Sequence, residues 1–170
     1  MVFERLVFRV HAIQRMYQRS ISEEEVRIVI KTGETIEDYP ADFPYPSRLV
    51  LGWHGLRPVH VVVADNIIDR ENIVITVYEA RFHRMGRRFQ KEKGVMKCVV
   101  CKKGETKTGK ATVTLEKDGA TLVFKGVPAR VCANCGEEYV DQEITARLLQ
   151  CAEEAARSGV QVEIRQYTAA

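Results

Sequence analysis

The chain has 170 residues, room for one ordinary domain or two small ones. Its 45% hydrophobic and 29% charged residues match a folded globular protein and exclude a disordered one. No apolar run approaches the ~18 residues a bilayer span needs, and the opening MVFERLVFRV carries charges where a signal peptide is apolar. The expected setting is therefore cytoplasmic, away from membranes, and a net charge of +3 is too small to make the whole chain a nucleic-acid binder.

Residues 2–10 are rich in β-forming side chains and predict a first strand. Ala12, Ile13, Met16 and Tyr17 then recur at helical spacing. A second helix is expected from Ser22, whose S-x-x-E arrangement with Glu25 forms a capping box, with Val26, Val29 and Ile30 as its apolar face and Gly33 at its end. A proline-rich loop over 39–46 leads to strands at 48–53, 59–64 and 72–78, the first two joined by a turn at His54-Gly55. Three strands in a row most simply make an antiparallel meander on the helix pair, an α+β layer.

Composition changes sharply beyond this point. All five cysteines follow residue 97, whereas the one Trp and all four His precede residue 84. The expected organisation is a module over 1–80, a basic linker over 81–95 and a second module over 96–170. In the second module, segments 111–115 and 121–125 flank Asp118-Gly119, a hairpin signal. Asp141 is placed to cap a helix carrying Ile144, Leu148 and Ala155, with Cys151 a small apolar residue on its face and Gly159 at its end. Alternation of Val160, Val162 and Ile164 with Gln161, Glu163 and Arg165 predicts a closing strand.

Cys98, Cys101, Cys132 and Cys135 form two C-x-x-C pairs. Each such turn aims two thiolates at one point, and two turns complete a tetrahedral sulfur site suited to Zn²⁺. Gly104 and Gly136 follow the pairs and fit the tight backbone of such knuckles. Four thiolates leave no position for water, so the zinc is expected to be structural. A module this small has a thin core, to whose folding the metal would contribute much of the free energy.

On the first helix His11, Arg15 and Arg19 fall along one stripe opposite Ile13 and Tyr17. His60 alternates with Val59 and Val61 on a strand. Two imidazoles and a guanidinium are what metal-free RNA cleavage requires: one base for the 2′-hydroxyl proton, one acid for the leaving oxygen, and a cation for the phosphorane. That chemistry needs His60 and the helix stripe to meet in one groove. A plain solvated face for the helix and a packed sheet histidine are the competing readings. His54 is expected at the surface. Residues 81–93 hold six Lys/Arg against one Glu, and there Arg84, Arg87 and Arg88, with His83 and two phenylalanines nearby, are candidates for phosphate contact.

The run HAIQRMYQR at 11–19, Gly33-Glu34, Pro58-Val-His60 and Ile75-Thr-Val-Tyr78 resemble small RelE/MqsR-like toxin relatives of unknown function. The stretch from Met96-Lys-Cys98 through the TLVFKGVPA segment at 121–129 to CANCGEEY at 132–139 resembles the YgiT-type zinc-finger antitoxins, the zinc half of MqsA-like proteins. Together these resemblances imply a type II toxin–antitoxin pair, an RNA-cleaving toxin silenced by a zinc-folded antitoxin. They place His11, Arg15, Arg19 and His60, with Tyr78, at the toxin's polar positions and the four paired cysteines at the zinc. The two partners are normally separate chains, and Met96 resembles an antitoxin start. Residues 136–170 suffice for one helix and a strand, so the helix-turn-helix that serves operator DNA in MqsA-like proteins is not expected. Joining the partners raises their effective concentration to roughly mM, which favours a self-inhibited chain or a homodimer. The alternative reading is a non-catalytic zinc protein that binds RNA or a protein partner through the basic linker.

Overall fold

The computed structural model describes residues 3–79 and 96–168. Strand β1 (Arg5–Arg9) runs directly into helix α1 (Val10–Gln18), followed by α2 (Glu23–Thr32) and β2 (Glu34–Tyr39). Strands β3 (Ser47–His54), β4 (Arg57–Asn66) and β5 (Glu71–Glu79) complete the first half. The second half is built from β6 (Thr106–Lys117), β7 (Ala120–Cys132), β8 (Glu138–Asp141), α3 (Gln142–Arg157) and β9 (Val162–Gln166).

Local signals in the chain account for most of these boundaries. Ser22 accepts the Glu25 N–H at 3.2 Å while the Glu25 carboxylate accepts the Ser22 N–H at 2.5 Å, so the capping box is complete. Asp118 and Gly119 both adopt positive φ (51° and 81°), the twist a two-residue hairpin requires. Gly33 does end α2, but by a different mechanism from a left-handed cap: its φ is −74°. A Cβ there would lie 2.5 Å from the Val29 carbonyl and 2.6 Å from that of Leu51, so glycine is needed for close approach of β3. Asp141 is the N-cap residue of α3 without a side-chain cap bond, because its carboxylate turns instead to Arg5 at 3.2 Å.

The sheet departs from the expected meander. Strands β2 to β5 are antiparallel neighbours, yet β1 adds to β5 in parallel, Val7 facing Ile73 and Phe8 facing Val74. The outer side of β1 then takes β8 antiparallel, Phe8 facing Val140. One mixed nine-stranded sheet therefore runs β2-β3-β4-β5-β1-β8-β7-β6, with β9 beside β7, through both halves. Strand β2 was not foreseen, because an exposed edge strand carries no apolar alternation.

All three helices cover one face. Leu6, Phe8, Val59, Val61, Val63, Val74 and Val77 meet Ala12, Ile13, Met16, Val26 and Val29 there. The β6–β7 hairpin and α3 close on the same core through Val113, Leu115, Leu122, Phe124 and Leu148. Burial of each of the larger side chains contributes roughly 1.5–3 kcal/mol. Tyr17 crosses between the halves, its hydroxyl donating to the Ala152 carbonyl at 3.3 Å. On the opposite face a smaller cluster joins Val7, Tyr45, Ala64 and Ile73 to Met96, Cys98, Cys132 and Tyr139.

Candidate functional site

The four cysteines of the C-x-x-C pairs converge. Cys98 and Cys101 lie in the turn ahead of β6, Cys132 ends β7, and Cys135 sits in the turn before β8. The two knuckles repeat one pattern: the Lys102 N–H donates to the Cys98 carbonyl at 2.9 Å, and the Gly136 N–H to the Cys132 carbonyl at 3.0 Å. The residue after the second cysteine has positive φ in both, 62° at Lys102 and 76° at Gly136. Gly104 serves another purpose than loosening the turn. A Cβ on it would lie 2.4 Å from the Cys132 sulfur, so only glycine lets the knuckles close on each other.

All four Sγ atoms lie within 4.8 Å of one another, with Cys98 to Cys135 at 3.5 Å and Cys101 to Cys132 at 3.6 Å. A tetrahedral ion with ~2.3 Å metal–sulfur bonds has sulfur–sulfur edges of about 3.8 Å, so the donor set and spacing fit an ion such as Zn²⁺. Burial and the crowd of neighbouring sulfurs push the Cys135 thiol up to about 12. Burial works the same way at Cys101, but hydrogen bonds from Asn134 and the Lys103 and Gly104 amides outweigh it and bring that thiol down to about 6. A divalent cation would relieve the repulsion that keeps the four from ionising together. Tyr139 supports the centre from behind. It is buried, its hydroxyl accepts the Val99 N–H at 3.1 Å and lies 3.1 Å from the Cys98 sulfur.

The proposed RNA-cleaving residues are divided by the fold. His11, Arg15 and Arg19 do lie along the side of α1 turned away from the buried Ile13 and Tyr17. Arg15 donates to the Gln18 side chain at 3.3 Å, and the Arg19 carbonyl accepts from Arg57 at 2.7 Å. Burial, then the charges of Arg9 and Arg15, hold His11 below the usual imidazole range, with Glu137 opposing them. His60 shares its sheet face with Val62 and Ala64, the face opposite α1. Its ring centroid is 5.0 Å from that of Tyr78, its cross-strand neighbour, and its Nδ1 is buried with no hydrogen-bond partner. Burial lowers its pKa as well. The sheet and the body of α1 thus stand between the His60–Tyr78 pair and the stripe, and the single groove required by a two-imidazole mechanism is not formed. The physical reason is strand parity: Val59, Val61 and Val63 occupy the helix side, which leaves position 60 on the other.

His54 is exposed as expected but is not idle, since its Nδ1 pairs with Glu25 on α2. Cys151 is half-buried against the main core. His83, Arg84, Arg87 and Arg88 lie outside the described residues. No helix among the described residues is long and apolar enough to cross a membrane.

Charged contacts between the halves were not foreseen; besides Arg5–Asp141, two stand out. Fully buried Glu71 accepts both Arg130 guanidinium nitrogens, at 2.8 and 2.9 Å. At the rim, Arg9 Nε donates to Glu137 Oε1 at 2.7 Å. Isolated charges at such sequence distances leave no periodic signal, although Glu137 does fall within the second cysteine motif.

Comparison with known families matches residues 8–79 to the model of a domain of unknown function, DUF4258. No RelE/MqsR-like or YgiT-type family matches, and no curated protein and no solved structure matches the chain.

Proposed function

We propose that the chain is a toxin–antitoxin pair in one polypeptide, an RNA-directed module over 1–80 closed by a Zn²⁺-folded module over 96–170. One observation supports it above others. Without the second half, β1 would be an open sheet edge and the apolar side of α1 would lack the β6–β7 and α3 cover. The second half adds β8 to that edge and packs over that helix, the strand-addition mode by which one protein segment captures another. On this reading the candidate catalytic set contracts to His11, Arg15 and Arg19, with His60 and Tyr78 set aside.

The separation of His60 from the stripe favours a second reading, a non-catalytic zinc protein that binds RNA or a protein through its cationic groups. A single imidazole has to serve as both base and acid, which a binding module does not need.

Expressing 1–95 and 96–170 together from independently controlled promoters lets the halves fold as a pair before one is withdrawn. On shutting off 96–170, cells arrest and transcripts are cut, and His11→Ala with Arg15→Ala removes both effects. Continued growth with whole transcripts, while the purified first fragment keeps its helical circular dichroism, would refute the toxin reading. The binding reading instead expects salt-dependent RNA affinity that falls when Arg84, Arg87 and Arg88 are replaced together.

A further inference from the structure

Glu137 and Glu71 both join the halves through an arginine, but they are built differently. Glu71 is entirely buried and grips Arg130 with both oxygens, which suits a permanent link. The Arg9–Glu137 contact is a single hydrogen bond between side chains 16% and 19% exposed, at the rim where β1 turns into α1. Around it lie His11 in the first turn of α1 and Arg15 one turn later, and α1 itself places no acidic residue in its first turn. Both guanidinium groups act on His11, and Glu137 is the one carboxylate among the described residues seen to oppose them. The second cysteine knuckle fixes where this carboxylate sits, because the Cys132 N–H donates to the Glu137 carbonyl at 2.8 Å.

A carboxylate on a guanidinium has the charge and the acceptor oxygens of a phosphodiester on the same group. We propose that Arg9, His11 and Arg15 form a binding site for the phosphodiester of single-stranded RNA, and that Glu137 of the cysteine half occupies it as an internal surrogate. This rests on the reading of the first half as RNA-directed. It adds Arg9 as the principal anion contact, and it gives the second half a specific means of closing the first: a carboxylate held out on a metal knuckle. The same chemistry would accept inorganic phosphate, so the two sources need separate arms in the test.

The full chain and its Glu137→Gln variant are titrated into a fluorescein-labelled 12-nucleotide single-stranded RNA of mixed sequence, with anisotropy read at several salt concentrations. Opening the site strengthens binding about 10-fold at low salt and steepens the dependence of log affinity on log salt by about 0.7, the value for one added phosphate contact to a single strand. Arg9→Ala in the Glu137→Gln background returns both quantities to those of the unsubstituted chain. Inorganic phosphate competes with the RNA only in the Glu137→Gln protein. Unchanged affinity in a Glu137→Gln protein that retains its metal content and melting temperature overturns the proposal. So does a gain that survives Arg9→Ala, which would belong to the basic residues 81–93 instead. If Glu137→Gln fails to hold metal, Glu137→Asp keeps the charge and withdraws it by one methylene, for a gain of about 3-fold; no gain there also overturns the proposal. An Arg9-dependent gain together with uninterrupted growth in the two-promoter experiment would leave the site standing and remove the toxin reading. Arrest without any gain would remove the site alone.

Discussion

On the helix-covered face of the sheet, Leu6 and Phe8 of β1 join valines from β4 and β5 to α1, α2 and the β6–β7 hairpin. On the other face, Val7 of the same strand enters a cluster of eight buried residues, two of them the candidate metal ligands Cys98 and Cys132. Beside that cluster lies the Glu71–Arg130 pair. Both faces tie the two halves together. The first does so by apolar area, which tolerates small changes in shape. The second depends on an ion pair and four clustered cysteines, where the loss of one partner is costly. A chain with so unequal a pair of faces should lose them separately.

The largest expected effect lies at the cysteine cluster, whose four sulfurs could hold an ion such as Zn²⁺. Structural zinc in small modules is worth roughly 10 kcal/mol of folding free energy, so Cys132→Ser, or chelation, should abolish hydrogen-exchange protection at 98–106 and 132–139. Amides of α1, α2 and β4 should remain protected, since their core holds no ligand. Equal loss in both regions would break the comparison, by making the two faces one cooperative unit. Next in size is Glu71→Gln, which leaves the half-buried Arg130 to the more exposed Asp141, 3.7 Å away, at a cost of about 3 kcal/mol in urea denaturation. Glu71→Leu combined with Arg130→Met should recover most of that, because replacing both charges removes the desolvation penalty as well as the attraction. Failure of the double replacement to recover stability would show that Arg5, 3.8 Å from Glu71, also needs the carboxylate.

The difference between the faces also explains what could be read in advance. The helices were legible because Ala12, Ile13, Met16 and Tyr17 recur with the helical period, and the cysteine centre because two C-x-x-C turns announce it without any tertiary knowledge. The β6–β7 hairpin was visible in Asp118-Gly119 for the same local reason. What escaped was nonlocal. The pairing of Val7 with Asp141 spans nearly the whole chain, and nothing near either residue encodes it. Alternation in the last strand revealed β9 but gave no information on its inward side. Val162 and Ile164 are 72% and 61% exposed, while their polar neighbours Glu163 and Arg165 are the more covered. His60 failed for a related reason. Its alternation with Val59 and Val61 was visible, but which face α1 would choose depends on packing against the whole sheet.

A smaller effect tests the helix-covered face by itself. Ser22→Ala removes one half of the α2 capping box and should cost about 1 kcal/mol. Because the cap lies on the metal-independent side, the cost should be the same with the cysteine centre loaded or stripped, when followed by the thermal transition of the protected core. A cost that depends on metal would mean that α2 senses the cysteine half, through the bonds Gln142 makes to Arg27 and Glu23.

The smallest effect is a pH slope. Burial lowers the pKa of His60, so the fold favours its neutral form. An unfolded histidine titrates near 6.5, and linkage then fixes the sign: the stability due to the lowered pKa is fully present above about pH 6.5 and is lost as pH falls through the folded value. Between pH 7 and 5 the chain should therefore lose stability on acidification, and His60→Gln should flatten the decline by less than one proton in the slope. His11 is lowered too, by burial first and then by Arg9 and Arg15, and contributes with the same sign. The two variants separate the regions: the His60 contribution comes from burial alone on the open sheet face, whereas the His11 contribution should grow when Glu137→Gln removes the opposing carboxylate. A His60→Gln protein with an unaltered slope would show that water reaches the buried Nδ1 and that this part of the sheet face is less dry than its strand pairing implies.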